Sequence, residues 1–370
     1  MEPKINKISE DRDKLNFTIS GLKVCYANAL RRTILSDIDI NICNTEKHEE
    51  NQCTIDKNTT RFHNEIIKQR LSCIPIHSKE LSILPGNYEL EVNVENKGDD
   101  TIYVTTEDFK IKSKATGNYL TKNEVIKIYP PSKITGEYID FLRLRPRISD
   151  TIKGEEIKLK CDYSIGNASI NSMYNVVSVC SYGNTVDIEK ANEEWSKRET
   201  VFKSTDSTLT EDEIGFEKKN FYALDAQRCF IENSFDFTVE TLGIYENKEI
   251  IMKGCECVIN RLKNAIEKLD ADEILITNAE LATANAYNIS FDNEDSTLGK
   301  IIEDRIYDKH FIQDKSVTFC AFKKVHPHDK MSVLKLAFVM DVDNNYIRQI
   351  IRTSIVESIE VFDKIYNLFK

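Results

Sequence analysis

The cysteine and histidine pairs closest in spacing to a metal site are Cys255-x-Cys257 and His326-x-His328. Structural zinc asks for a C-x₂₋₄-C pair joined to a second such pair or to histidines. On a helix, cysteines two apart point to different faces, and the two histidines flank Pro327 with no third ligand in view. Neither pair reads as a metal site. Metal-assisted phosphoryl chemistry needs clustered carboxylates on a rigid loop. The acidic runs Asp11–Asp13, Glu49-Glu50, Asp99-Asp100 and Glu211–Glu213 instead sit in polar, solvated surroundings. Gly299-Lys300 lacks the preceding glycine of a phosphate-binding loop, and no serine or cysteine occupies a nucleophile elbow. The chain reads as non-catalytic.

The sharper chemistry is recognition. Arg31 and Arg32 are adjacent on an apolar helix and cannot both face its core. The expectation is an outward pair whose guanidinium forks suit a partner's carboxylates or carbonyls, with ordinary surface arginines as the alternative. Arg143, Arg145 and Arg147 recur at period two, which is either a basic stripe toward an acidic partner or nucleic acid, or a solvated strand face. Glu65 and Arg70 lie five apart, so each is expected to anchor a neighbouring loop or subunit rather than pair with the other.

These residues need elements to hold them. Leu15, Phe17 and Ile19 alternate with Asn16 and Thr18, a half-buried strand. Ser20-Gly21 ends it, and a helix through 26–36 places Tyr26, Leu30 and Ile34 on one face. Residues 61–71 read as a short helix. From about 80 to 180, strands are expected at 88–94, 102–104, 125–129 and 157–161, the spacing of a mainly antiparallel β domain. Residues 183–220 are polar and read as a solvated loop or short exposed helix. Phe235, Phe237 and Val239 alternate before a helix striped by Met252, Cys255, Ile259, Leu262, Ile266 and Leu269. After a linker at 270–275 come a strand at 287–291, a helix over 296–306 capped by Ser296 or Thr297, a hairpin about His326-Pro327, and a final helix over 344–369. Ile347, Ile351, Ile355, Ile359, Phe362, Tyr366 and Phe369 form its apolar stripe.

At 370 residues the chain is too long for one compact core. A net charge of −11 argues against direct wrapping of nucleic acid, which wants a basic surface. The charged opening MEPKINKISEDRDK is no secretory signal. No run approaches the roughly 18 apolar residues of a membrane span. Ten cysteines without a signal point to free thiols in a reduced, intracellular compartment.

Both ends of the chain repeat strand, turn, short helix, then later a strand and a long helix. Ala27-Asn28 aligns with Gly299-Lys300. The fold expected is α+β. Two related α/β units share one chain: the first comprises 1–45 plus 221–275, interrupted by an antiparallel β-rich domain at 46–220, and the second is 276–370. The internal interface is expected to use Leu30, Ile34, Ile259, Leu262, Ile266, Leu298, Ile302, Ile351, Ile355 and Phe362.

Phe17-Thr-Ile-Ser-Gly-Leu22 with Ala27–Ser36 resembles the assembly-helix motif of the RNA polymerase alpha family. Asn64-Glu65, Gln69-Arg70-Leu71 and Ile74-Pro75-Ile76 resemble its next signature. Asp292–Gly299 with His326-Pro327 is similar to the family's small dimerisation partner, the eleventh subunit of the eukaryotic enzyme or its L-type archaeal counterpart. The front 275 residues resemble the third eukaryotic subunit or its D-type archaeal counterpart. Both in one polypeptide look like the arrangement in large cytoplasmic DNA viruses.

The resemblance implies a non-catalytic platform docking the largest and second-largest polymerase subunits through Asn28, Arg31, Arg32, Glu65 and Arg70, with small zinc-binding subunits alongside. Catalytic magnesium then belongs to the largest subunit, and DNA is met only through the complex. The setting is host cytoplasm and virion, without a membrane. Some relatives carry a metal-binding cysteine cluster in the inserted domain. Cys53, Cys73, Cys161 and Cys180 are too scattered for one, so no metal is assigned here. The chain stops at the long helix, without the DNA-binding domain of bacterial alpha subunits. Lys300 departs from the usual asparagine, and Glu303 and Asp304 stand where the first copy has Arg31 and Arg32. That implies docking mainly by the first copy. The alternative function is a stand-alone viral scaffold sharing the module.

Overall fold

A computed structural model describes residues 1–149, 151–205, 210–279 and 284–370. Along the chain run β1 (Lys4–Asp11), β2 (Lys14–Ser20), α1 (Val24–Ser36), β3 (Ile40–Ile42), β4 (Cys53–Asn58) and α2 (Asn64–Ser72). Then come β5 (Tyr88–Glu95), β6 (Ile102–Thr105), β7 (Lys110–Ser113), α3 (Lys122–Ile128), β8 (Asp140–Leu144), β9 (Glu156–Asp162) and β10 (Ser164–Gly166). β11 (Val177–Val186), α4 (Ile188–Thr205), α5 (Glu211–Ala223), β12 (Phe230–Thr241) and α6 (Asn247–Asp270) follow. The last stretch holds β13 (Leu275–Asn278), β14 (Ala286–Asp292), α7 (Ser296–Ile306), β15 (Val317–Lys323), β16 (Met331–Phe338) and α8 (Asn344–Phe369). The class is α+β.

Two compact units result. One comprises Met1–Thr33, Val179–Glu240 and Ile251–Lys370; the other comprises Ile34–Ser178 and Thr241–Ile250. The expected insert spans 46–220, whereas the smaller compact unit spans Ile34–Ser178 and Thr241–Ile250. β11 joins the first sheet at its edge, so residues well before 220 belong to the larger unit.

The larger unit holds two four-stranded sheets of matching order, β1-β2-β12-β11 and β13-β14-β16-β15. β2 and β14 start at 14 and 286, and α1 and α7 at 24 and 296, so one offset of 272 relates both pairs. Alternation does the work in each sheet. Leu15, Phe17 and Ile19 stand opposite Val239, Phe237 and Phe235, and all six are buried. Tyr287 and Ile289 stand likewise opposite Leu336 and Leu334. The Phe17 and Phe237 rings stack at 5.2 Å, a favourable offset geometry. β2 ends at Gly21, where φ is +72° and an added Cβ would lie 2.4 Å from the Glu2 carbonyl oxygen, leaving no room for a side chain. The expected linker at 270–275 gives way to β13 at its last residue.

Residues 183–220 depart further from expectation. The described part is the end of β11 and two helices, α4 and α5, closed around Trp195, Phe221, Ala191, Ala226 and Cys229; 206–209 lie outside the described residues. A helical pair burying only these few residues leaves most positions polar, which is why composition suggests a loop.

The smaller unit is built on the sheet β4-β9-β5-β7 with two ribbons, β3/β10 and β6/β8. Leu90, Val92, Ile111, Ile157 and Leu159 form its core with Ile67 and Leu71 of α2. Residues 125–129, expected as a strand, lie at the end of helix α3. A capping box decides it: Thr121 and Glu124 satisfy each other's amides, and β-branched residues tolerate helix once its start is fixed. Arg143 alone of the three expected stripe arginines lies in β8. Arg145 pairs with Glu155 at 2.5 Å and Arg147 with Asp99 at 2.9 Å, so no free basic stripe forms.

Cysteines scattered in sequence are partly gathered by register. Cys53 stands opposite Cys161 across β4 and β9, and the Cys161 thiol donates to the Asp162 carbonyl at 3.4 Å. The neighbouring Cys43 thiol and burial push the Cys161 thiol far above its usual range. Among the described residues no group of three or more His, Cys, Asp or Glu is arranged to hold a metal ion, and no helix is long and apolar enough to cross a membrane.

Candidate assembly interface

In the larger unit α1 and α7 lie antiparallel, pinned at both ends by charge. Lys23, at the start of α1, donates to Asp304 at 3.0 Å and also to Asp308. Arg32, near its end, donates to Asp295 at 2.7 Å. Asp295 is the N-cap of α7, accepting from the Thr297 amide at 3.0 Å, in place of the expected caps Ser296 and Thr297. Arg261 of α6 reaches the same carboxylate at 3.1 Å and Glu294 at 2.7 Å. One helix N-terminus is thus held by two arginines.

α6 and α8 are antiparallel as well. Arg348, near the start of α8, donates to the Leu269 carbonyl at 3.0 Å and pairs with Asp272 at 3.0 Å. Arg352 pairs with Asp270. α1 meets α8 through Tyr26, whose hydroxyl lies 3.1 Å from that of Ser358 and whose ring is 5.6 Å from Phe362. Phe17 meets Phe369 edge-on at 5.0 Å.

Of the residues expected at this interface, Leu30, Ile34, Ile259, Leu262, Leu298, Ile302, Ile351, Ile355 and Phe362 are buried. Ile34 falls with the smaller unit. Ile266 is only half-buried while Ala265 beside it is buried, because the α6 stripe drifts by one position over its last turns.

Both arginines of the expected outward pair are partly exposed, and their hydrogen bonds differ. Arg32 is spent on Asp295, whereas Arg31 donates from Nε and Nη2 to Asn28 Oδ1 at 3.2 and 2.9 Å. Asn28 and its counterpart Lys300 line one groove of about 610 Å³ with Tyr182, Tyr307, Cys25 and Cys320. Burial and nearby Asp304 push the Cys25 thiol up to about 12, and burial with Glu303 does the same for Cys320. Both stay protonated near neutrality and are poor nucleophiles. Glu303 accepts from the Phe322 amide at 2.8 Å and Asp304 from Lys23; both serve the unit itself. In the smaller unit Arg70 donates to the carbonyls of Phe141 at 2.7 Å and Asp140 at 2.9 Å, anchoring β8 to α2. Glu65 is almost fully exposed. Sequence reasoning misses Lys23, Arg261, Asp295 and Ser358. Their partners lie far along the chain, and the only local signal is Asp295 preceding Ser296-Thr297.

Burial raises the Asp295 pKa, but the charge and hydrogen bond of Arg261, with Arg32, outweigh it and the net shift is downward. A lowered carboxylate pKa contributes stability above about pH 4 that is lost as pH falls through the folded value. Asp304 has the opposite sign: burial raises it against Lys23, so its ionisation costs stability. Asp295→Asn is therefore expected to lower stability by about 1–2 kcal/mol at pH 7, a modest loss for a partly exposed pair. The gap to the parent chain should close below about pH 4. Thermal melts of the full chain across pH check this, and a gap constant with pH contradicts it.

The family model of the RNA polymerase Rpb3/Rpb11 dimerisation domain matches residues 16–262. The chain belongs to that family. Its Rpb3/Rpb11 match runs from β2 into α6, leaving α7 and α8 beyond it. A conjugation stage-specific protein of Tetrahymena thermophila is 22% identical over 294 residues, 67% of this chain and 89% of its own. The DNA-directed RNA polymerases I and III subunit rpac1 of Dictyostelium discoideum is 24% identical over 299 residues, 72% and 82% of the two chains. DNA-directed RNA polymerase subunit Rpo3 of Pyrococcus furiosus is 22% identical over 280 residues, 71% and 95%.

Proposed function

We propose that this chain is a non-catalytic assembly subunit of a DNA-directed RNA polymerase, carrying both dimerisation units of its family in one polypeptide. The carrying observation is the pair of sheets with matching strand order, bound within one compact unit by α1 against α7 and α6 against α8. The first unit is interrupted between α1 and β11 by residues 37–176, where the second has only 307–316 between α7 and β15. The polymerase subunits among its relatives support the setting. In this reading the largest and second-largest subunits dock on the platform and supply nucleotidyl transfer, including its magnesium. Small zinc-binding subunits sit beside them, and DNA is reached only through the assembly.

Arg31 and Asn28 are the docking residues this reading favours, since Arg32 is used internally. Arg31→Glu should leave the melting profile unchanged and reduce copurification of the large subunits with a tagged chain at least tenfold. The tagged parent chain should bring both down in one-to-one ratio, and alone it should sediment as a monomer. A lone homo-oligomer without large subunits would support a stand-alone scaffold instead.

A further inference from the structure

The smaller unit contains a cavity of about 440 Å³ between β7 and α3, inside the 300–1,000 Å³ range of small-molecule pockets. Its inner surface is aromatic and aliphatic. Phe109, Val125 and Tyr129 are buried at its base, and Tyr119, Ile126 and Tyr138 also line it. The aromatic walls are fixed before any ligand arrives. Phe109 packs edge-on against Tyr129 at 5.2 Å and Phe141 at 5.5 Å. The Tyr129 hydroxyl lies 3.2 Å from that of Tyr163. Tyr119 donates to Glu91 at 2.8 Å while Lys112 sits over its ring at 5.9 Å.

The charged groups lining this cavity are Glu107, Lys110 and Lys122. Lys122 is paired with Glu107 at 2.7 Å. Lys110 is exposed, and its ammonium has no hydrogen bond or ion pair among the described residues; Glu91, opposite it in register, is engaged by Tyr119. An exposed ammonium beside fixed aromatic faces suits a planar ring bearing an anionic group: the ring stacks or packs edge-on, and the anion takes a charge-assisted hydrogen bond. We propose that this cavity binds a free aromatic carboxylate of one or two rings, the ring among Phe109, Tyr119, Tyr129 and Tyr138 and the carboxylate on Lys110.

The test uses the full chain with indole-3-acetate as probe and tryptamine, the same ring on a cation, as control. Calorimetric titration should show saturable one-to-one binding of indole-3-acetate and at least tenfold weaker binding of tryptamine. Lys110→Gln, an exposed change that should leave the melting temperature unmoved, should weaken indole-3-acetate at least tenfold and erase the preference over tryptamine. Ile126→Trp should fill the cavity and abolish binding of both. If Ile126→Trp fails to fold, loss of the Tyr119 and Tyr129 ring signals' response to the probe in Lys110→Gln serves instead. No saturable binding, equal binding of the two probes, or binding untouched by Lys110→Gln would overturn the proposal. None of these outcomes depends on polymerase subunits.

Discussion

Ile351→Asp with Ile355→Asp is expected to unfold the larger unit. Both side chains are fully buried mid-way along α8, between the Arg348 contacts with the end of α6 and the Tyr26 contacts with Ser358 and Phe362. An unpaired carboxylate in such a seam costs several kcal/mol, and two together rival the ~5–15 kcal/mol stability of a whole domain. The smaller unit has its own core of Leu90, Val92, Ile111, Ile157 and Leu159 and should persist. Limited proteolysis of the double variant should leave a resistant fragment within 34–178 while residues 251–370 are digested. A variant that melts like its parent would show that the α8 stripe is not core.

The second large effect is expected from one methyl group. A Cβ at Gly299 would lie 2.3 Å from three atoms of the Phe322 ring, far inside contact distance. Ala27, 272 residues earlier in α1, is buried and carries a Cβ at the matching position. Overpacking a buried contact costs about 1–3 kcal/mol and more where backbone must move. Helix propensity alone would favour alanine over glycine by roughly 1 kcal/mol. Gly299→Ala should therefore destabilise the larger unit despite its better propensity. Gly299→Ala with Phe322→Leu should recover most of the loss, since leucine lacks the offending ring edge. If Gly299→Ala alone stabilises the chain, the helix-to-strand approach is looser than described.

How far the sequence can be read depends on whether the signal is local. α7 and α8 are bounded correctly because their apolar stripes lie within the elements themselves. The matching halves are visible for the same reason, through strand and helix patterns at one offset. α3 is misread because Val125, Ile126 and Ile128 favour strands; the Thr121-x-x-Glu124 box overrides them. Thr210-x-x-Glu213 announces α5 in the same way. What no single sequence reveals is register and long-range charge pairing. Nothing near Cys53 points to Cys161, and nothing near Arg32 points to Asp295. Local amphipathicity says which side of α1 is polar, but not that an acidic helix cap waits there for Arg32.

The placement of β2 against β12 sets an order of events during synthesis. Phe17 must wait for Phe237, so the first sheet closes a loop of more than two hundred residues. The smaller unit's sheet and the second sheet each draw their strands from one continuous stretch. Loop closure of that length costs entropy before any contact repays it, and high contact order slows folding. The nascent chain should therefore carry a folded smaller unit while β1 and β2, with their apolar face of Leu15, Phe17 and Ile19, stand exposed without a partner. That interval is the aggregation-prone stage of this protein's life.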